Sequence, residues 1–402
     1  MAVRVFVTGI GIISSIGFNC EETEDSLKSG KTGIGTMKNL VSVHSGEIPV
    51  AEVPASNEEL EDLARIRKTG YSSRTTLLGI IAAGEALRCS GLDEDIGSFR
   101  TGLISATTVG GMDRSEKFFK SYIQHKSGGR LRYIVTHDCG DSTAAIADTF
   151  GIRDHVSTIS TACSSSANAI LTGARLIKGG LLDRVIAGGT DALSLFTLNG
   201  FNSLMILDKK GCRPFDEDRN GLTLGEGSAF IVMESETVTA RIGKKLLCEV
   251  SGYGNACDAY HQTASSPEGG GAYLSMKQAL HCSGLTPDMI DYINAHGTGT
   301  KNNDLSEGRA IERLFGYLPV KFSSTKAFTG HTLGAAGAVE AVLGIMAIRN
   351  GWIYPNPGFA RQMSELRITP EKKLIRNTRI RNLMSNSFGF GGNNTSLIFS
   401  EC

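Results

Sequence analysis

Three short echoes recur in the same order in the two halves of the chain, and they restrict its fold more tightly than any composition figure. Val3 to Val7 is a β-branched and aromatic run that ends in TGIG, and Leu247 to Val250 is a second such run that ends in SGYG, Ser251 to Gly254. Ser160-Thr161 leads from a strand-like run into one small-residue helix, and Ser324-Thr325 leads into another, KAFTGHTLGAAGAVEAVLGIMAI. AGGTDA, Ala187 to Ala192, is answered by FGFGGNN, Phe388 to Asn394. One match of this length means little, but three in one order indicate an internal repeat. The division falls near Arg241 to Lys245, with halves at 1–245 and 246–402. Strands alternating with helices then predict an α/β architecture, its parallel or mixed sheets covered on both faces. Size agrees, because 402 residues exceed the roughly 250–300 at which a single core stops growing.

Charge and cysteine usage narrow the function class. Lys+Arg and Asp+Glu balance at 41 each, so no net field draws in nucleic acid or an acidic membrane surface. Nine cysteines without a CxxC pair fit neither a disulfide framework nor a zinc site, and a reducing cytoplasm suits them best. The opening MAVRVFVTGIGIISSIG is apolar like a signal peptide, but glycines interrupt it and no A-x-A-like cleavage site follows. A first buried strand and turn are expected there. Its Gly9-Ile10-Gly11 is not a dinucleotide fingerprint, since the next glycine, Gly17, comes too late. Leu333 to Ile348 is the longest later apolar run; it carries Glu340 and is rich in Gly and Ala. That composition predicts a packed core helix rather than a membrane span.

The candidate nucleophile lies in STACSSS, Ser160 to Ser166, after the β-rich Val156 to Ile159 and before a helical pattern at Ile170, Leu171, Ala174 and Ile177. Cys163 therefore sits at a strand-to-helix turn. Unpaired N–H groups and the macrodipole at a helix N-terminus favour an anion, which predicts a thiol pushed toward its thiolate. A free cysteine is also often a small buried hydrophobe, so the other residues of the site have to decide. Elsewhere, Glu21 to Gly70 reads as an irregular polar cap, Thr75 to Leu87 as an apolar helix, and Asp113 to Arg132 as an insertion without a clear period. His137, Asp138, Cys139 and Asp141 fit a helix cap better than a metal site, because adjacent spacing matches no common coordination geometry. CRPFDEDR, Cys212 to Arg219, precedes GLTLGEGSAFIVMES, whose glycines predict a turn packed against another backbone.

Two histidines lie in matching surroundings. NAHGTGT, Asn294 to Thr300, holds His296, and KAFTGHTLGAAGAVEA, Lys326 to Ala341, holds His331; each follows a strand-like run. Strand-end loops are where open α/β sheets place their sites. Two histidines in such loops, with Lys326 and a helix-capping cysteine, are poorly explained by packing alone. FGFGG, Phe388 to Gly392, adds a backbone able to aim N–H groups at a ligand.

Together STACSSS, RPFDEDRNGLTLGEG, NAHGTGT, STKAFTGHTLGAAGAVE and NSFGFGG resemble the β-ketoacyl-acyl carrier protein synthases, in the Cys-His-His elongating class, over nearly the whole chain. The resemblance implies a thiolase-like five-layered αβαβα sandwich of two duplicated halves, a dimer, no cofactor and no metal. It also implies a decarboxylative Claisen condensation between an acyl group on Cys163 and malonyl-acyl carrier protein. On this pattern the Cys163 and Phe390 N–H groups form an oxyanion hole, and His296 and His331 stabilise the enolate. Lys326, near the second histidine, supplies charge and orientation and is held by Glu307; Asp304, in the same segment, is a second supporting carboxylate. Thr298, Thr300 and Thr263 match the hydroxyls that meet the phosphopantetheine arm. Phe388 and Phe390 match an aromatic gate, and Val109 a lining residue of the acyl chamber.

Two departures stand out. Asn393 replaces the threonine of the family's usual GFGGTN, and HDCGD is more polar than the segment that closes the chamber in housekeeping members. The second departure suggests an unusual acyl group, polyunsaturated, aryl or polar-ended, as in aryl-polyene or polyketide pathways. Rival readings are a thiolase-type acyltransferase, which needs a second late cysteine where only Cys402 is found, and a starter-type synthase, which carries asparagine in place of His331. A third is one subunit of a ketosynthase/chain-length-factor heterodimer, so homodimer and heterodimer both stay open. Acyl carrier protein is acidic, and Arg65, Arg67 and Lys68 are the first candidates for its docking patch.

Overall fold

The computed structural model describes residues 3–66, 70–92 and 96–402 of the chain. The first half contributes strands β1 (Val5–Ser14), β2 (Thr101–Ala106), β3 (His155–Ile159), β4 (Arg184–Asp191) and β5 (Gly227–Ser235). The second contributes β6 (Cys248–Cys257), β7 (Tyr292–Asn294), β8 (Lys321–Ser323), β9 (Asn382–Phe388) and β10 (Asn393–Ser400). Their order, β3-β2-β4-β5-β1-β6-β10-β9-β7-β8, is one five-strand pattern written twice, reversed about the β1/β6 joint. In each half the three outer strands run parallel, β3, β2 and β4 against β8, β7 and β9. The two inner strands, β5 and β1 against β10 and β6, are antiparallel. Only Phe6↔Glu249 and Val7↔Cys248 pair across the joint.

Helices complete five layers. Arg74–Cys89 and Cys139–Phe150 cover the outer face of the first sheet, and Gly270–Ser283 and Lys301–Phe315 cover the outer face of the second. Ser165–Lys178 and Ala336–Asn350 lie between the sheets, and their apolar residues merge with strands of both halves into one core. Every residue from Ala336 to Ile348 is buried, which explains a segment that is long and apolar enough to cross a membrane by composition.

The TGIG echo is a packing device rather than a turn. β1 continues through it to Ser14, because a Cβ on Gly9 would lie 2.2 Å from Ala86 O and one on Gly11 2.1 Å from Ala82 O. The missing side chains let the Arg74–Cys89 helix rest directly on the strand. Gly252 and Gly254 do the same for Gly270–Ser283, where Cβ atoms would lie 2.4 Å from Ala279 O and 2.1 Å from Ser275 O.

Other expectations shift. The polar stretch after Glu21 contains helices at Cys20–Ser29, capped by Asn19, and at Asn57–Leu63, closed by a Ser56/Glu59 capping box. Each buries only two or three residues, so neither shows an apolar period. The insertion after Asp113 is mostly a helix, Met112–Gln124, whose Phe119 and Ile123 are 60% and 65% exposed. Asp138 caps Cys139–Phe150 by accepting the Gly140 N–H at 2.6 Å, and His137 Nδ1 lies 2.9 Å from Ser115 Oγ.

Candidate active site

The turn from β3 into the Ser165–Lys178 helix passes through Ala162 at φ 54, a left-handed conformation that a small residue bears most easily. Ser165 Oγ accepts the Thr161 N–H at 2.8 Å and donates to Ala162 O at 2.5 Å, holding the turn shut. Cys163 is thereby presented at the helix head, 6% exposed. GLTLGEG positions the partner loop: His331 N–H donates to Thr223 O at 2.7 Å and Gly225 N–H to His331 O at 3.0 Å. A Cβ on Gly225 would lie 2.3 Å from Thr329 O, so this turn does pack backbone against backbone.

Sulfur and both imidazoles meet in one buried space. His331 Nε2 is 3.1 Å from Cys163 Sγ, and the candidate donor atoms of Cys163, His296 and His331 all lie within 4.8 Å of one another. The two rings cross edge to face at 84°, with centroids 5.3 Å apart. His331 Nδ1 is buried and has no hydrogen-bond partner among the described residues.

Lys326 stands beside the first histidine, not the second. Its Nζ is 3.1 Å from His296 Nδ1 and 2.7 Å from His296 O. An ammonium only donates, so Nδ1 must accept, and the imidazole proton sits on Nε2, facing the cavity. That tautomer makes His296 a hydrogen-bond donor rather than a metal ligand. Lys326 is held by Glu340, its buried ion-pair partner, and not by Glu307. The clue was present in the sequence: Glu340 is the carboxylate inside a long apolar run, and a charge buried there needs a partner. Glu307 instead accepts the His296 N–H at 2.9 Å, the Gly297 N–H at 2.8 Å and Asn386 Nδ2 at 3.1 Å. Asp304 accepts the Thr298 N–H at 3.0 Å and the Phe215 N–H at 2.7 Å. Both carboxylates thus shape the NAHGTGT loop.

Burial dominates the electrostatics. It pushes the Cys163 thiol up to about 11, against the pull of Lys326 and of the nearby Phe390 N–H. The expected drift toward thiolate is therefore reversed: loss of water at a nearly closed site outweighs the helix terminus. Burial, then the Lys326 charge, holds both histidines well below the ordinary imidazole range, so they are neutral at pH 7. Burial also raises the Glu307 carboxyl to about 7. It pushes Glu340 up as well, with Lys326 opposing.

Two cavities meet at the sulfur. One of about 90 Å³ is lined by Cys163, His296, His331, Phe388, Thr263, Thr298 and Thr300, among others. The other, about 390 Å³ and almost wholly apolar, is lined by Cys163, Val109, Phe196, Leu204 and Leu333, among others. Phe390 and Phe201 border both, their rings stacked at 5.8 Å and 17°. Phe201 escapes a reading of the sequence because it is one apolar residue in an ordinary helix, Leu195–Ser203. Phe388 packs its ring 5.9 Å from that of His296. The polar HDCGD stretch lines neither cavity; it backs the Gly110 turn that follows Val109. Arg65 borders a groove with Glu22, Glu59, Asp62 and Glu85, while Arg67 and Lys68 lie outside the described residues.

Comparison with known proteins agrees with this arrangement. Residues 2–238 match the model for the Beta-ketoacyl synthase, N-terminal domain, and residues 247–360 that for the Beta-ketoacyl synthase, C-terminal domain. The chain is 34% identical over 406 residues to Nodulation protein E of Rhizobium meliloti (strain 1021), covering 99% of each protein. It is 32% identical over 414 residues to 3-oxoacyl-[acyl-carrier-protein] synthase 2 of Staphylococcus aureus (strain N315), covering 99% of this chain and 98% of that one. Among solved structures, the ishigamide ketosynthase/chain length factor superposes at TM-score 0.94 with 29% identity, over 100% of both chains. A chain of the structure described as ketosynthase (ApeO) in complex with its chain length factor (ApeC) from Xenorhabdus doucetiae superposes at TM-score 0.85 with 32% identity, over 100% of this chain and 98% of that one. Two family models that between them span most of the chain, and relatives that align from end to end, establish that this protein belongs to the β-ketoacyl synthase family.

Proposed function

We propose that the protein is a 3-oxoacyl-[acyl-carrier-protein] synthase, joining an acyl group on Cys163 to malonyl-acyl carrier protein by decarboxylative Claisen condensation. The observation that carries the reading is the meeting of Cys163 Sγ, His331 Nε2 and the His296 N–H in one buried space, with Lys326 fixing the His296 tautomer.

The first half-reaction moves the acyl group onto sulfur. Because the thiol is protonated at neutral pH, it gives its proton up to solvent as it attacks the thioester carbonyl, the His331 Nε2–H donating to the sulfur as charge builds there. The N–H groups of Cys163 and Phe390 meet the tetrahedral oxyanion. Collapse expels the carrier thiolate, which takes up a proton from solvent, and His331 keeps its Nε2–H. In the second half-reaction the malonyl carboxylate leaves as carbon dioxide, and its bonding pair becomes an enolate with charge on the thioester oxygen. Two neutral imidazole N–H groups, from His296 and His331, receive that charge where little water competes. The enolate carbon attacks the acyl carbonyl, the carbon–sulfur bond breaks, and the Cys163 thiolate regains a proton from solvent.

Thr263, Thr298 and Thr300 line the path a pantetheine arm would take, and Val109 with Phe196 and Leu204 the space for an acyl chain. An apolar lining suits saturated, polyenoyl and aryl chains alike, and fatty acid, aryl-polyene and polyketide elongation all supply such groups. Intact mass after incubation with saturated, polyenoyl and aryl acyl-carrier proteins tests the reaction: an acyl adduct on wild type and none on Cys163→Ala is expected. Absence of any adduct overturns the reading. The relative loading rates then identify the acyl class.

A heterodimer with a chain-length partner is a second reading, favoured by one surface. β3 is an edge strand of the sheet among the described residues, and Phe119, Ile123 and Leu131 of the insertion and Val135 just after it are exposed. Two of the similar solved structures are described as ketosynthases with chain length factors. Light scattering of the protein alone and co-expressed with such a partner separates the two assemblies. All nine cysteines are free thiols, in keeping with a cytoplasmic enzyme.

A further inference from the structure

Asn393 is one of the chain's two departures from the family pattern, and its side chain is the hub of a polar cluster behind the nucleophile. Its Oδ1 accepts from Ser164 Oγ at 2.7 Å, from Asn168 Nδ2 at 2.8 Å and from Asn255 Nδ2 at 3.0 Å. Ser164 directly follows Cys163, Asn168 lies one turn into the same helix, and Asn255 belongs to β6. Asn168 Oδ1 in turn accepts from Thr395 Oγ1 at 2.8 Å and Asn255 Nδ2 at 2.9 Å. Two NH₂ groups, of Asn168 and Asn255, converge on this oxygen beside the Ser164 hydroxyl, which also reaches Thr161 O at 2.8 Å, so the amide cannot turn over without setting its own NH₂ against theirs.

The backbone of the same residue closes the loop that carries Phe390. Asn393 O accepts the Gly389 N–H at 2.8 Å, and Gly392 N–H donates to Gly389 O at 3.1 Å. Gly391 and Gly392 sit at φ 80 and 79, so the loop has little stiffness of its own. Phe390 nevertheless stands with Cys163 on both cavities that meet at the sulfur. Gly389 lies against the nucleophile turn, where a Cβ would come 2.9 Å from Thr161 O and 3.2 Å from Cys163 N.

We infer that Asn393 is a positioning residue that latches the Gly389–Gly392 loop to the head of the nucleophile helix, keeping the Phe390 N–H in register with Cys163 for acyl transfer. The inference rests on the condensing reaction above. It acts on the steps at the acyl carbonyl: the oxyanions of acylation and of condensation use the Phe390 N–H, whereas decarboxylation of the malonyl group to its enolate uses the imidazoles. Alanine at 393 removes the acceptor. Aspartate keeps an oxygen in the same place for these donors. Threonine offers one hydroxyl on a shorter branch.

The test compares acylation of Cys163 by acyl-carrier protein with its alkylation by iodoacetamide, which passes through no oxyanion, and with malonyl-carrier decarboxylation. Asn393→Ala is expected to slow acylation about tenfold to a hundredfold, because the oxyanion donor is loosened rather than removed. Alkylation and decarboxylation should change by less than about twofold, and Asn393→Asp should restore acylation. Equal loss of all three rates, or no loss of acylation, overturns the proposal. Should Asn393→Ala not fold, the order wild type, then Asn393→Asp, then Asn393→Thr in acylation at constant alkylation supports the latch, and any other order overturns it. Failure of wild type to form an acyl adduct would overturn the reaction itself, a separate outcome.

Discussion

At the scale of single residues, the thiol and its neighbours set how the site responds to pH. Burial raises the Cys163 thiol to about 11, and only the thiolate attacks. A raised value leaves little thiolate at neutral pH, so the alkylation rate should climb about tenfold per pH unit until the pH approaches that value. Iodoacetamide labelling followed by mass spectrometry from pH 6 upward checks this, and a plateau reached by pH 8 would contradict it. The Lys326–Glu340 pair offers a second prediction. Both side chains are 2% exposed, so Glu340→Ala leaves an ammonium buried without its counter-charge. Breaking such a pair costs about 3–5 kcal/mol, measurable by urea unfolding. Decarboxylation of malonyl-carrier protein should fall with it, because Lys326 loses the group that holds it at His296 Nδ1. The family resemblance points to Glu307 as the partner of Lys326, and only the lone carboxylate in an apolar run hints at Glu340. Residues 14 and 19 positions away from Lys326 compete on equal terms until the fold brings one of them to the ammonium.

Among the secondary elements, small residues decide where helices rest on sheets. The glycines of TGIG and SGYG are legible as an echo, yet they look like turn formers when read one strand at a time. They are contact points because the strand continues and the helix comes to it. Gly254→Ala would force a Cβ to 2.1 Å from Ser275 O, and the overpacking should cost about 3 kcal/mol. Gly35, where an added Cβ would meet nothing within 4 Å, is the matched control; Gly35→Ala should stay within about 0.5 kcal/mol. Chemical denaturation of both variants checks the contrast, and equal losses would refute it. The polar helices at Cys20–Ser29 and Asn57–Leu63 look irregular in sequence because capping side chains, not an apolar stripe, define them. Met112–Gln124 does carry an apolar stripe at helical spacing, Phe118, Phe119, Tyr122 and Ile123, but Phe119 and Ile123 on it are exposed rather than turned into a core.

Over the whole molecule, the edge strand β3 and the exposed apolar residues of the insertion belong to one argument. An uncapped sheet edge and large exposed apolar groups are a liability unless a partner covers them. The double variant Phe119→Asp and Ile123→Asp should halve the mass measured by light scattering while the circular dichroism spectrum stays unchanged. An unaltered mass would remove this face from the interface.

From its residues alone the chain announces two like halves, a cysteine at a strand-to-helix turn and two histidines in matching loops, because each of these depends on a few consecutive residues. The repetition implied an α/β fold, and the αβαβα layering came from the resemblance its motifs carry. Packing alone decided that Lys326 serves His296 and answers to Glu340, that the thiol rises instead of falling, and that Asn393 ties a glycine loop to the nucleophile. Such outcomes depend on which groups meet through space and how far water is excluded from them, and neither quantity is written in local sequence.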